Sequence, residues 1–164
     1  MLVLSCIAVY SAPEKAASFP PHAARDAVDG ACQKARQDSK LVFMKSGFPA
    51  CGWCRVFDRY HDSPETKEIL EKYYVIIKID TENMPDGKAV FSQFAEPGAP
   101  SWVIVTPDRK KVIDSYDSTG NVGYPSAPNE IAYYLKALKK ATPQITQAEL
   151  DKLAVLLKKA EGKK

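Results

Sequence analysis

Two cysteines separated by two residues follow a short apolar segment of the chain. The segment is LVFM at residues 41–44, and after the break SGFPA the cysteines Cys51 and Cys54 stand in the stretch CGWC. A continuous apolar run of this length is typical of a β-strand that is covered on both faces. Apolar residues at helical spacing then predict a helix over residues 51–60. The pair is therefore expected where a buried strand leads into a helix.

The remaining chain alternates between helical and strand patterns. Residues 63–65 read Ser-Pro-Glu, a helix start in which serine caps and proline takes the first helical position. Further helices are predicted over residues 23–39, 88–94, 127–140 and 147–160, and further strands over residues 75–79, 101–106 and 112–116. This order predicts an α/β domain with a central mixed β-sheet flanked by helices, to which residues 147–160 add a C-terminal helix.

Length and composition exclude several classes of protein. A chain of 164 residues suits one domain. Its net charge of +3 is concentrated in a basic C-terminal tail at residues 161–164 and the lysines before it, without interleaved aromatic residues, so no nucleic-acid partner is predicted. With two histidines and no second pair of closely spaced cysteines, no metal site is predicted. A three-ligand site of Cys51, Cys54 and His61 is the minor alternative.

The N-terminal segment resembles the hydrophobic part of an export signal. Residues 1–12 form an apolar run that no lysine or arginine precedes, and residues 13–22 read as a proline-rich linker. The run is shorter than the roughly 20 residues that span a bilayer, so no stable membrane insertion is expected. We interpret residues 1–22 as a shortened export signal with its linker and residues 23–160 as the folded domain. An N-terminal strand is the alternative interpretation.

Lys40 precedes the first strand, a Ser-Pro-Glu helix start follows the cysteine-bearing helix, and the step Gly98-Ala99-Pro100 precedes a later strand. With these features around Cys51 and Cys54, residues 23–140 resemble the thioredoxin-like thiol-disulfide oxidoreductases of bacterial periplasms. The resemblance implies a thioredoxin-like fold and disulfide exchange with protein thiols and disulfides. It implies no cofactor beyond the redox-active Cys51–Cys54 disulfide, an upstream redox partner, and a periplasmic or otherwise exported location.

The chemistry of such a dithiol assigns different roles to the two cysteines. It needs one reactive thiolate and a second thiol that resolves the mixed disulfide. The positive end of a helix dipole favours a thiolate, so Cys51 is the predicted solvent-facing nucleophile and Cys54 the resolving thiol. Gly52 keeps the approach to Cys51 open. Trp53 packs beside the sulfurs or offers an apolar patch to a substrate, and the alternative is an ordinary surface aromatic residue.

The resemblance also implies a cis peptide bond before Pro100. In the family this bond places the backbone of the preceding residue, here Ala99, beside the first cysteine, where a substrate peptide pairs with it as an added strand. Cis bonds occur at only about 5–6% of X-Pro positions in folded proteins, so this expectation rests on the resemblance. An ordinary trans turn proline is the alternative.

The sequence departs from the thioredoxin pattern near the cysteines. Thioredoxins carry a buried aspartate in the strand before the motif, whereas Met44 and Lys45 occupy the matching stretch here. Ala50 stands where tryptophan is common. Lys45 is therefore a candidate for favouring the thiolate or handling the proton of Cys54, although a strand-end lysine with its ammonium in water is the favoured interpretation. His61 lies too far along the helix for direct base catalysis and is expected as a cation at the helix C-terminus.

Four functions remain open from the sequence. A monomeric reductase is favoured, because the chain has no room for the second domain or dimerisation module that a dedicated isomerase needs. A disulfide oxidase or isomerase is the alternative within the same chemistry. A non-catalytic peptide-binding or chaperone module, or a metal carrier that uses the paired thiols, is the alternative outside it.

Overall fold

The computed structural model of the protein describes residues 19–96 and 98–162. The segment interpreted as an export signal, residues 1–12, lies outside the described residues, as do most of the linker and the last two lysines. The helices are α1 (Ala23–Gln37), α2 (Gly52–Asp62), α3 (Pro64–Leu70), α4 (Gly87–Phe91), α5 (Pro128–Ala141) and α6 (Gln147–Glu161). In this part of the chain no helix has both the length and the hydropathy needed to cross a bilayer.

A four-stranded mixed sheet forms the centre of the molecule, as predicted. Its strands are β1 (Leu41–Gly47), β2 (Tyr74–Asp80), β3 (Ser101–Val105) and β4 (Lys111–Asp114), and their order is β2-β1-β3-β4. The pair β1/β2 is parallel, whereas β1/β3 and β3/β4 are antiparallel. The short strands β5 (Tyr116–Asp117) and β6 (Gly120–Asn121) form a separate ribbon.

The sheet separates two apolar clusters because alternate residues of a strand point to opposite faces. Phe43 of β1 and Trp102 of β3 join the cluster formed with α2, α3, α5 and α6. Met44 and Val103 join the other cluster, formed with α1 and α4. Cys32 is buried in that second cluster as a packed small residue with a free thiol. The cysteine-bearing helix α2 therefore shares its face of the sheet with the C-terminal helix α6.

The predicted helix starts are confirmed in detail. The Ser63 hydroxyl accepts a hydrogen bond from the Thr66 amide at the start of α3. At the start of α6 the Thr146 hydroxyl accepts from the Glu149 amide, and the Glu149 carboxylate accepts from the Thr146 amide. These reciprocal bonds form a capping box, which satisfies two backbone donors that the helix itself leaves free.

Several predicted elements end earlier in the structure than in the sequence analysis, among them α4 and β4. The helix predicted over residues 88–94 ends at Phe91, and the Gln93 and Phe94 amides that follow bond three residues back in turns. The strand predicted over residues 112–116 ends at Asp114, whose carboxylate accepts the Tyr116 amide and turns the chain into the ribbon. The sequence analysis missed that ribbon.

Candidate active site

Cys51 and Cys54 form a disulfide bond at the beginning of α2. Cys51 is the N-cap of the helix, and its Cα lies 5.2 Å from that of Cys54. The Cys54 amide donates a hydrogen bond to the Cys51 Sγ over 3.1 Å. After reduction, this donor and the positive end of the helix dipole favour a thiolate on Cys51. The pair is thus arranged as the sequence predicts, with the helix beginning one residue later.

The two sulfurs differ little in exposure. Cys51 is 9% exposed and Cys54 is 2% exposed. Cys51 is the more accessible residue, but it does not face solvent as openly as predicted. The Cys51 amide donates to the Phe48 carbonyl, and this bond folds the preceding turn back against the helix start.

The last residue of β1 touches the resolving cysteine. A Cβ atom at Gly47 would lie 2.9 Å from the Cys54 Sγ, closer than real side chains approach. Glycine at this position allows the strand end to lie directly against the helix start. Gly47 was not among the predicted site residues, although a glycine at the end of a buried strand can indicate a close approach of another element.

Replacing Gly47 with alanine is expected to lower the free energy of unfolding by about 1–3 kcal/mol, because the added methyl group overpacks the contact with Cys54. The matched control is Gly30→Ala in the exposed middle of α1, where a Cβ meets nothing within 4 Å. That change should raise the free energy of unfolding by about 0.5–1 kcal/mol. Denaturant titration of the oxidised variants measures both values. Equal changes in the free energy of unfolding for the two substitutions would contradict the close contact between Gly47 and Cys54.

The peptide bond between Ala99 and Pro100 is cis, as the resemblance implies. Antiparallel pairing sets Ser101 opposite Ser46, so the register places Pro100 opposite Gly47. Because Gly47 touches Cys54, the cis proline lies at the same end of the sheet as the cysteine pair. The role predicted for the Ala99 backbone in pairing with a substrate stays a prediction.

A polar network holds the chain around the cis proline. The Ser46 hydroxyl donates to the Gly98 carbonyl over 2.8 Å. From the other side the Asn121 side-chain amide donates to the Pro100 carbonyl over 2.9 Å, and its oxygen accepts from the Ser115 hydroxyl over 2.7 Å. The sequence analysis missed these residues, because Ser115 and Asn121 meet the proline only through the sheet and the ribbon.

The residues between the cysteines present an open surface. A Cβ at Gly52 would meet only the end of the Arg55 side chain, at 4.0 Å, so the approach is open there and would accept a methyl group as well. Trp53 is 39% exposed, and its ring stacks on that of Tyr124 with centroids 5.5 Å apart and planes inclined by 21°. Trp53 therefore has a fixed orientation, unlike an isolated surface residue.

Lys45 is buried in an ion pair, so the expectation of a solvated strand-end lysine is wrong. The residue is 6% exposed, and its Nζ lies 2.8 Å from Asp58 Oδ1. Lys78, the neighbour of Lys45 across β1 and β2, donates to Asp58 Oδ2 over 2.6 Å. Because Lys45 points to the face of the sheet that α2 covers, its ammonium meets a carboxylate of that helix. We call these three residues the Lys-Asp-Lys cluster.

The missing strand acid therefore has a counterpart on the helix. Asp58 follows Cys54 by four residues, so the two side chains share one face of α2. Burial alone would raise the pKa of Asp58, but hydrogen bonds from Lys45 and Lys78 outweigh it and hold this pKa below its usual value. Burial lowers the pKa of Lys45, and Asp58 opposes that shift only in part. The sequence signal for Asp58 was its spacing from Cys54.

A polar groove of about 460 Å³ opens beside the cluster and admits solvent to it. It is lined by Lys45, Asp58, His61, Asp62, Lys67, Glu71, Ile76, Ile77 and Lys78. Over the described residues, no group of three or more cysteine, histidine and acidic side chains is placed to hold a metal ion.

His61 is buried and not the helix-end cation that the sequence analysis expected. It is 2% exposed and packs between the rings of Phe43 and Phe57, at 5.2 and 4.4 Å. Its Nδ1 lies 3.0 Å from the Phe57 carbonyl oxygen. Burial, reinforced by the charge of Lys45, holds the pKa of His61 well below its usual value. The expectation of a helix-end cation is wrong because residue 61 falls on the core-facing side of α2.

Acid is expected to destabilise the protein through His61. In the unfolded chain a histidine binds its proton near pH 6.5, whereas the folded chain resists protonation. The free energy of unfolding should therefore fall as the pH drops below about 6.5, by up to about 1.4 kcal/mol per pH unit. Denaturant titrations between pH 7.5 and 5 measure the slope. His61→Phe should flatten it, and equal slopes in the wild-type and variant proteins would contradict the assignment.

Comparison with known proteins connects this geometry to a family. The family model Thioredox_DsbH, described as "Protein of unknown function, DUF255", matches residues 21–154. Uncharacterized protein B0495.5 of Caenorhabditis elegans is 31% identical over 112 residues, which are 62% of this chain and 15% of that protein. Human spermatogenesis-associated protein 20 is 30% identical over 67 residues, which are 40% of this chain and 8% of that protein. The chain spans only a small part of these curated relatives.

A solved structure shows the same fold. The disulphide isomerase from Xylella fastidiosa Temecula1 superimposes with a TM-score of 0.54 at 18% sequence identity. The superposition covers 91% of this chain and 98% of that one. Together with the mixed sheet and its flanking helices, this similarity confirms the thioredoxin-like fold predicted from the sequence.

Proposed function

The chain belongs to the Thioredox_DsbH family, and from that premise we propose that it is a thiol-disulfide oxidoreductase acting on protein substrates. The observation that carries the proposal is the Cys51–Cys54 disulfide at the N-terminus of α2, at the sheet end that also holds the cis Pro100. A helix start favours one thiolate, and a second sulfur within bonding distance resolves the intermediate.

The proposed reductive cycle has two exchange steps. The Cys51 thiolate attacks one sulfur of a substrate disulfide, and the other substrate sulfur leaves as a thiolate that takes a proton from water. Cys54 then loses its proton and attacks the Cys51 Sγ, which releases the second substrate sulfur as a thiolate that takes a proton from solvent. The substrate gains two electrons and two protons, and the protein is left oxidised, with a Cys51–Cys54 disulfide. A reduced dithiol partner restores the starting state.

The second step needs an acceptor for the proton of a buried thiol. Cys54 is 2% exposed, and Asp58 lies one helical turn beyond it on the same face of α2. The lysines beside Asp58 hold its pKa below the usual value and keep its carboxylate charged, and the adjacent groove brings solvent to that carboxylate. We assign to Asp58 the role of receiving this proton through water, while Lys45 and Lys78 fix its position.

The reductive direction and an exported, periplasmic location belong to the same proposal. Support for the location is the apolar segment at residues 1–12. Oxidation and isomerisation are the alternative directions of the same exchange.

Redox equilibration tests the proposal. The protein is incubated in dithiothreitol or glutathione buffers of graded ratio, and the Cys51–Cys54 disulfide is followed by alkylation and mass. We expect a reversible two-electron couple near about −270 mV, the region of reductases. A value of about −120 to −180 mV would favour oxidation or isomerisation. Absence of any reversible couple would reject the oxidoreductase and favour peptide binding or metal carriage.

A further inference from the structure

Tyr124 connects the residue between the cysteines with the C-terminal helix. Its ring stacks on Trp53 and meets Phe57 of α2 edge-on, with centroids 5.8 Å apart. Its hydroxyl donates a hydrogen bond to the Leu157 carbonyl of α6. Tyr124 is only 5% exposed, so its ring is fixed from several sides. Helix α6 therefore supports Trp53 through one aromatic side chain.

The segment that carries Tyr124 also touches the cis proline. Gly123 has a φ of +55°, and a Cβ there would lie 2.8 Å from the Pro100 carbonyl oxygen. The Asn121 side chain donates to that same oxygen. The Gly123 carbonyl accepts from the Trp102 indole over 2.9 Å. Residues 121–124 thus join the cis-proline side of the site to the Trp53 side.

Trp53 is unusual in being a large apolar residue that stays accessible beside the disulfide. Among the described residues the exposed large apolar side chains are Phe19, Trp53 and Val155. Of these, Trp53 stands between the two cysteines. One side of its ring rests on Tyr124, and 39% of the residue is exposed to solvent. An aromatic ring that is fixed by stacking on a neighbour loses little conformational entropy when it binds an apolar group, because its orientation is already set.

We propose that Tyr124, anchored to α6, is a positioning residue that holds Trp53 as one wall of the substrate site. This wall selects protein substrates that carry an apolar side chain next to the reacting cysteine. The inference rests on the proposed function and adds a substrate class to it. Polypeptides can contact this wall and the cis-proline segment together, which small disulfides are too short to do.

Exchange kinetics with two matched peptides test the inference. Each peptide carries one disulfide-bonded cysteine, and they differ only in phenylalanine or serine at the neighbouring position; hydroxyethyl disulfide is the small substrate. Wild type should prefer the phenylalanine peptide through a lower KM. Trp53→Ala and Tyr124→Leu should reduce the ratio of kcat/KM between the two peptides roughly 5- to 10-fold, mainly through KM. Tyr124→Phe keeps the stack and should retain most of the preference.

The control variant is Val155→Ala, which removes another exposed apolar side chain from α6 and should leave the preference unchanged. A folded Trp53→Ala protein with the wild-type preference would overturn the inference. So would a Tyr124→Leu protein in which kcat falls equally for both peptides and for hydroxyethyl disulfide, since that pattern indicates a structural role alone. If wild type exchanges with hydroxyethyl disulfide but shows no preference, the inference alone fails. If wild type exchanges with neither the peptides nor hydroxyethyl disulfide, the proposed oxidoreductase function is wrong, and the inference falls with it.

Discussion

Cys54→Ser should stop the exchange after its first step and leave the substrate protein bound to Cys51 through a mixed disulfide. The Cys51 thiolate still attacks, but no sulfur remains to displace the substrate. We expect turnover to fall by roughly 10³-fold or more, as for removal of other essential reacting groups. Non-reducing electrophoresis and mass spectrometry measure the adduct, and peptide mapping assigns the sulfur that carries it.

The matched variants separate the roles of the cysteines. Cys51→Ser should give neither turnover nor adduct, because it removes the sulfur at the helix start. Cys32→Ala should retain the reaction, since Cys32 is buried in the cluster on the other face of the sheet. An adduct that forms on Cys54 in the Cys51→Ser protein as fast as on Cys51 in the Cys54→Ser protein would show that the assigned roles are wrong.

Local sequence signals were enough to predict the elements that carry the site. The apolar run of β1, the cysteine at the start of α2 and the Ser63-Pro64 start of α3 each depend on neighbouring residues. The α/β class followed from their order, and the thioredoxin-like fold was implied by the resemblance. The cis bond before Pro100 was implied by a resemblance and not by any local rule, and the structure contains it.

The interior of the site depended on contacts that sequence spacing does not specify. Strand periodicity places Lys45 on the same face as Phe43 and Gly47, but it does not say what covers that face. The ion pair with Asp58 exists because α2 packs there, and Lys78 joins it through the parallel register of β1 and β2. The general preference of lysine for the protein surface therefore predicted the wrong environment for Lys45.

The same limit applies to His61 and Tyr124. A histidine near a helix end has a favourable position for a cation, yet the orientation of α2 turns this one into the aromatic core. Tyr124 lies 71 positions from its stacking partner Trp53 and follows a ribbon whose strands are too short to give a periodic signal. The environments of both residues depend on how the helices pack on the sheet, which sequence spacing does not specify.

Asp58→Asn is expected to lower the free energy of unfolding of the protein and also to slow the second exchange step. The substitution leaves the Lys45 ammonium buried without its counter-charge, and breaking a buried ion pair in this way costs about 3–5 kcal/mol. It also removes the proposed proton acceptor of Cys54, which should slow resolution of the mixed disulfide by roughly 10²-fold. Denaturant titration measures the first effect, and single-turnover quenching by acid measures the second.

A matched acid-to-amide change is available on the same helix. Asp62 pairs with Lys67 over 3.4 Å, but its side chain is 68% exposed. Asp62→Asn should change the free energy of unfolding by less than about 1 kcal/mol, because water already screens this pair. Equal losses in the two variants would contradict the burial argument for Asp58.

The pH dependence of stability gives an independent check on Asp58. Its folded-state pKa lies below the usual value, so its stabilising contribution is present above about pH 4 and is lost as the pH falls through the folded pKa. Asp58→Asn lacks the contribution at every pH. The stability difference between wild type and variant should therefore shrink as the pH falls through the folded-state pKa of Asp58.

The double variant Lys45→Met with Asp58→Asn separates the two roles of the carboxylate. Removing both members of the buried pair leaves no unpaired ammonium at residue 45, so we expect much of the stability lost in Asp58→Asn to return. The proton acceptor is still absent, so resolution of the mixed disulfide should stay slow. If the double variant recovers its resolution rate along with its stability, Asp58 acts only as the counter-ion of Lys45. If stability alone returns, the carboxylate has its own part in the exchange.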